Sequence, residues 1–143
     1  MRGNNQMEIV NTTKQYNHTQ GLVYSCQYHV IFTPKYRRSV LTNGVDIRLK
    51  DLILQQQSLY KYKVIEMEVM PDHVHLLLDV SPKVGIYPVV TKIKGFTSNR
   101  LRIEFPWLKS RLPSLWTRSK FISSVGAVSL DVVKSYIVNQ KGK

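Results

Sequence analysis

With 143 residues, 43% of them hydrophobic, the chain is sized for one globular domain with an ordinary core and not for two. Its 21 Lys and Arg against 9 Asp and Glu give a formal charge of +12, which favours a polyanionic partner, nucleic acid first, without naming an activity. The single cysteine, Cys26, excludes an internal disulfide framework and any multi-thiolate zinc site, and no apolar run is long enough to span a bilayer, so a cytoplasmic protein is expected.

Residues 1–20 are rich in Asn, Gln and Thr and lack periodicity, so they read as a flexible N-terminal arm ahead of a single domain over 21–143. From Leu22 the chain is β-branched and aromatic up to Pro34, which predicts a first strand. Pro34-Lys35-Tyr36-Arg37-Arg38 then places three cations around a tyrosine, either as a solvated basic turn or as a contact for phosphates and single strands. Asn43-Gly44 is a turn, and Val45, Leu49, Leu52, Ile53 and Leu59 form a helical stripe that predicts a helix over 46–60. Residues 62–70 read as a second strand, and the tight Pro71-Asp72 link predicts a hairpin into a third.

That third strand carries His73-Val74-His75-Leu76-Leu77-Leu78. Side chains alternate along a strand, so His73 and His75 share one face while Val74, Leu76 and Leu78 take the other. Two imidazoles side by side are half a metal site, although each alone is compatible with an ordinary hydrogen-bonded histidine. Asp72 can orient a neighbouring imidazole or simply cap the turn.

After Ser81-Pro82-Lys83, Ile86, Val89, Val90, Ile93, Phe96 and Leu101 recur at helical spacing, with Lys92, Lys94, Arg100 and Arg102 between them. From Lys83 to Lys120 nine cations face Glu104 alone, an imbalance that favours a phosphate-tracking surface over a merely solubilising one. Lys92, Lys94, Arg100 and Arg102 are the leading candidates for DNA backbone contacts, with Tyr36, Arg37 and Arg38 second. Trp107 and Trp116 read as core anchors more readily than as base-stacking platforms. Residues 121–125 form a short strand, Gly126 punctuates it, and Ser129 or Asp131 can cap a final helix running to Gln140. The order β-α-β-β-α-β-α predicts an α+β, ferredoxin-like (split βαβ) antiparallel sheet with helices on one face, followed by an extra C-terminal helix.

On that helix Val132, Tyr136 and Gln140 lie on one i, i+4 row, so a phenol and a carboxamide can address the same point. Together with the histidine strand and the basic surface they make a set of groups suited to nucleophilic chemistry on phosphate. The chain resembles the small single-tyrosine transposases of the HUH superfamily, the TnpA type carried by compact bacterial and archaeal insertion sequences. The resemblance rests on YHVIFTPKYRRSVL from Tyr28, VMPDHVHLLL from Val69, KIKGFTSNRLRIEFPWL from Lys92, LWTRSKFISSVG from Leu115 and VVKSYIVNQ from Val132, and it covers nearly the whole chain. Lys120, where the family usually has an aromatic, and the longer arm are departures.

The resemblance implies metal ligands at His73, His75 and Gln140, a nucleophile at Tyr136, and Mg2+ or Mn2+ as the ion; two imidazoles suit Mn2+ better. A phenol ordinarily loses its proton only near pH 10, so Tyr136 needs help to attack at neutral pH. It further implies cleavage and rejoining of single-stranded DNA through a 5′-phosphotyrosine ester, recognition of hairpins at element ends, and a homodimer whose active sites are shared, with Gly126 as a hinge. Because the ester keeps the bond energy, rejoining needs no ATP, in keeping with the lack of a GxxxxGK[ST] loop. The alternatives are a non-catalytic ferredoxin-like module for single-stranded nucleic acid, a domesticated relative, and a histidine-triad hydrolase, which would want a third alternating histidine where Leu77 stands.

Overall fold

A computed structural model describes residues 16–19, 21–126 and 130–140, apart from the side chains of Leu130, Val132, Tyr136 and Gln140. Of the expected arm over 1–20, residues 1–15 and 20 lie outside these residues, as does the cap candidate Ser129. Two compact units are present, residues 26–125 and the described parts of 1–25 and 126–143. In the smaller unit β1 (Asn17–Thr19) pairs antiparallel with β2 (Leu22–Tyr24), and α5 spans Leu130–Gln140. The expected first strand is thus split. Residues 22–24 pair with β1, whereas β3 (Gln27–Phe32) joins the main sheet.

The larger unit contains β3, α1 (Val45–Gln55), α2 (Gln57–Tyr60), β4 (Tyr62–Met70), β5 (His73–Val80), α3 (Ile86–Glu104), α4 (Trp107–Arg111) and β6 (Phe121–Ser124). Its sheet runs β4-β5-β3-β6, every neighbour antiparallel, which is the strand order of the split βαβ arrangement. Burial along β5 alternates: Val74, Leu76 and Leu78 are fully buried with Val30 and Phe32 of β3, against Leu49, Leu52 and Ile53 of α1 and Val89, Val90 and Ile93 of α3. Each such side chain contributes about 1.5–3 kcal/mol by leaving water. A one-residue slip of β5 would exchange those leucines for the histidines, so the same burial that stabilises the sheet fixes which way His73 and His75 face.

Two local features shift the hydrophobic phase. The expected helix over 46–60 breaks at Gln56 (φ −96°, ψ 8°), and the Gln57 amide bonds both the Leu54 carbonyl and the Val64 N–H. Leu59, counted in the stripe, consequently stands 66% exposed. In β4 a bulge at Ile65 lets Val64 and then Met67 and Val69 all pack on the core. Trp116 is an anchor as expected: its Nε1 donates to Thr97 Oγ1 at 3.1 Å and its ring meets Phe32 edge-on. No helix among the described residues is long and apolar enough to cross a membrane.

Lys94 departs from its expected role in DNA binding. It follows Val90 by one helical turn and so falls on the buried stripe of α3, only 9% exposed. Its Nζ donates to the carbonyls of Thr117 (2.7 Å), Arg118 (3.4 Å) and Ser119 (3.3 Å), clamping the segment that enters β6. Burial, with the charge of Lys120 second, pulls its pKa down to about 8, while the three carbonyls act the other way by favouring the ammonium. Between that value and the ordinary 10.5 the unfolded chain holds a proton that the fold has released, so this residue's contribution to stability rises with pH. Lys94→Met should cost about 1–3 kcal/mol at pH 7 by leaving carbonyls unpaired. In urea denaturation the gap to wild type should widen from pH 8 to pH 10.

Candidate functional site

The face of the sheet away from α1 and α3 carries the histidines. In register, His75 stands between Ile31 of β3 and Glu68 of β4, and His73 stands beside Met70. Both rings are half-buried, and each has one nitrogen committed to a partner.

His73 Nδ1 lies 2.9 Å from Asp72 Oδ1, and Arg37 Nε donates to Asp72 Oδ2 at 3.1 Å. The hydrogen bond with His73, and after it the Arg37 charge, hold the Asp72 carboxyl below the usual carboxylate range. An ionised carboxylate only accepts, so the hydrogen between the two groups sits on His73 Nδ1, and Nε2 is the ring nitrogen that bond leaves over. Asp72, read from the sequence either as an orienting partner or as a turn cap, is hydrogen-bonded to the His73 ring.

Arg37 reaches Asp72 from a 3-10 turn, Lys35–Arg37, in which Tyr36 and Arg37 have φ of 58° and 52°. That left-handed conformation costs an ordinary residue about 1–2 kcal/mol. The turn is held by Lys35 N–H to the Leu115 carbonyl at 2.8 Å and by the Pro34–Trp116 bridge, while Leu41 N–H bonds the Pro71 carbonyl of the β4–β5 turn at 3.0 Å. Tyr36, 65% exposed, and Arg38 remain on the surface beside it.

His75 Nε2 lies 3.0 Å from Nδ1 of His29 on β3, the two rings edge to edge with their planes 28° apart. His29 belongs to one of the stretches that carry the resemblance, yet no role attached to it. Alternation within β3 places it opposite Val30 and Phe32, but only the pairing of β3 with β5 brings it to His75.

The basic residues of α3 are not part of this cluster. Lys92 is exposed beside the Tyr60 ring, Arg100 pairs with Glu104 at 3.3 Å, and Arg102 donates to the Pro113 carbonyl at 3.0 Å. They belong to the helix layer, on the opposite face of the sheet from the histidines. Tyr136 and Gln140 both fall in α5, one turn apart, with side chains outside the described residues. Among the described residues no three His, Cys, Asp or Glu side chains are grouped to hold a metal ion. The donor set present is two imidazoles, which fits a divalent ion of intermediate softness once a further donor is supplied.

The family model described as "Transposase IS200 like" matches residues 22–140. The chain belongs to the IS200-like transposase family. Membership makes it a transposase, an enzyme of DNA cleavage and strand transfer that serves DNA transposition. It is 38% identical over 126 residues to the ISDra2 transposase TnpA of Deinococcus radiodurans, covering 87% of this chain and 90% of that one. It is 31% identical over 120 residues to the transposase of insertion sequence element IS200 from Salmonella typhimurium, covering 82% and 78%. Among solved structures, a transposase candidate from Deinococcus radiodurans superposes with a TM-score of 0.68 at 34% identity, over 87% of this chain and 97% of that one. A REP-associated tyrosine transposase bound to a REP hairpin shares the fold, with a TM-score of 0.55 at 14% identity, over 87% and 73%. The IS200-like family and the ferredoxin-like α+β fold are thus both as the sequence led one to expect.

Proposed function

We propose that this IS200-like transposase cleaves and rejoins single-stranded DNA at hairpin-bearing ends of an insertion sequence, using Tyr136 as the nucleophile. What carries the reading is the side-by-side placement of His73 and His75 on the sheet face away from α1 and α3, each with one ring nitrogen already engaged. In the reaction the Tyr136 oxygen bonds to the scissile phosphorus, the P–O3′ bond breaks, and the departing 3′ oxygen takes up a proton. The 5′ phosphate stays on the tyrosine, and attack by another 3′ hydroxyl reverses the step on a new strand. His73, His75 and Gln140 would hold Mg2+ or Mn2+, with Mn2+ favoured by the imidazoles. When bound, such an ion supplies charge neutralisation at the phosphate oxygens and alignment of the scissile bond.

Asp72 and Arg37 keep His73 in its ligating tautomer. Lys92 and Arg38, exposed, would make backbone contacts, Arg100 and Arg102 would join them by exchanging their Glu104 and Pro113 partners for phosphate, and Tyr36 would stack. The hairpin seen on the fold-level relative supports a hairpin as the DNA partner. A homodimer with shared sites would let α5 of one subunit complete the histidine site of another. The test is a labelled single-stranded oligonucleotide spanning a hairpin end, incubated with Mn2+. A denaturant-stable protein–DNA adduct and a fragment with a free 3′ hydroxyl are expected. Tight hairpin binding with no adduct under Mg2+ or Mn2+ would instead identify a binding module.

A further inference from the structure

A third imidazole shares the face that carries His73 and His75, and the reaction above makes no use of it. His29 lies in the middle of β3, where it pairs in register with Leu77, while the next same-face residue, Ile31, pairs with His75. His29 and His75 are therefore diagonal neighbours, within reach of each other across two strands. The 3.0 Å between His29 Nδ1 and His75 Nε2 is a hydrogen-bond length, and with centroids 5.1 Å apart and planes 28° from parallel the rings meet edge to edge, as such a bond requires. Two bare lone pairs at that distance would repel, so one hydrogen lies between the rings.

Which ring owns that hydrogen decides what His75 can do. If His29 were the donor, the His75 Nε2 lone pair would be spent on it. With His75 as donor, its Nδ1 is left with the free lone pair. Resting on the metal reading of the site, we propose that His29 is a positioning residue: it accepts from His75 Nε2–H and so fixes the ring angle and tautomer in which His75 ligates through Nδ1. Asp72 performs the same service for His73 from the other nitrogen, so the two ligating rings are held by two different acceptors, one charged and one neutral. A ligating histidine that donates its second N–H to a protein acceptor is the general design of such sites. His29 is not a further ligand in this arrangement, because its Nδ1 is directed at the His75 ring. It is not needed for the core either, since Val30 and Phe32 on the other face of β3 provide that packing and the strand is paired on both sides.

The experiment compares wild type, His29→Phe and His29→Asn. Phenylalanine keeps an aromatic ring and loses the acceptor, while the asparagine oxygen can stand near the position of Nδ1. Metal-free near-UV circular dichroism should be the same for all three. Titration of Mn2+, followed by the electron paramagnetic resonance signal of the free ion, should show His29→Phe binding about 10–100-fold more weakly and His29→Asn restoring most of the loss. Nitrogen NMR of histidine-labelled, metal-free protein should find His75 as the Nε2–H tautomer in wild type and a mixture in His29→Phe.

Equal Mn2+ affinity in wild type and His29→Phe would overturn the inference while leaving the metal site standing. So would failure of His29→Asn to rescue, or loss of the circular dichroism signal in His29→Phe, which would mark a packing residue. Wild type that takes up no Mn2+ would bring down the metal reading and this inference with it.

Discussion

Tyr136→Phe abolishes the covalent protein–DNA adduct and lowers strand cleavage by at least about 10^3-fold, because no other group replaces the nucleophile once the oxygen is gone. The change removes one atom from a helical residue, so binding of the hairpin oligonucleotide should stay within a fewfold of wild type. A denaturing gel for the adduct and a mobility-shift titration read the two quantities separately. An adduct that persists in this variant would reassign the nucleophile. The same variant tests the sharing of sites. If the chain pairs as proposed, mixing it with His73→Ala and allowing subunits to exchange should restore about a quarter of wild-type cleavage, since half of the dimers would be mixed and each would hold one intact pair of His73 and Tyr136 contributed by different subunits. No recovery would mean that each subunit uses its own tyrosine.

The second large effect is expected at the Arg37–Asp72–His73 chain. His73→Ala should lose metal-dependent cleavage altogether while keeping most hairpin binding, and equal loss of both would mark a structural histidine. Asp72→Asn is the finer probe, since the carboxamide keeps the shape but gives up the charge that answers Arg37 and fixes the His73 proton. Mn2+ affinity should fall about 10–100-fold, with kcat at saturating metal affected far less. A drop in kcat that excess Mn2+ cannot repair would place Asp72 in the chemistry instead of behind the ligand.

How much of this was legible in the residues depends on how local each signal is. Period-two alternation in β5 is local, and it gave the outward face of His73 and His75 correctly because Val74, Leu76 and Leu78 have nowhere else to go. The stripe of α3 was equally readable, but Lys94 was sorted by its charge when its helical phase, one turn after Val90, was the better guide. A long methylene stem lets such a residue join a core if its ammonium finds carbonyls, and those carbonyls lie more than twenty residues further along the chain. The His29 contact needed the pairing of β3 with β5, which no window of sequence contains. The break at Gln56 depended on a glutamine side chain that serves both a helix end and a strand N–H, again a contact between elements. Tyr136 and Gln140 are spaced by one turn in sequence and in α5 alike, which fixes their row but not what they meet.

The bulge in β4 bears on how the chain tolerates a change of length. Between the tight turn and Ile65 the ladder is uninterrupted, Glu66 to Met70 facing Leu77 to His73, whereas Tyr62 to Val64 pair with Val80 to Leu78 on the far side of the extra residue. The spare residue is therefore stored in a seam away from the histidines, at the end where Tyr62 hydroxyl bonds the Ile53 carbonyl and the strand meets α1. A residue added or removed at the α2–β4 connection would meet this seam before it could re-phase the strand pair on which His73 and His75 stand. The hairpin thus has two stretches of unequal tolerance to a change of length, one running to the helices beyond the bulge and one in unbroken register through the histidines.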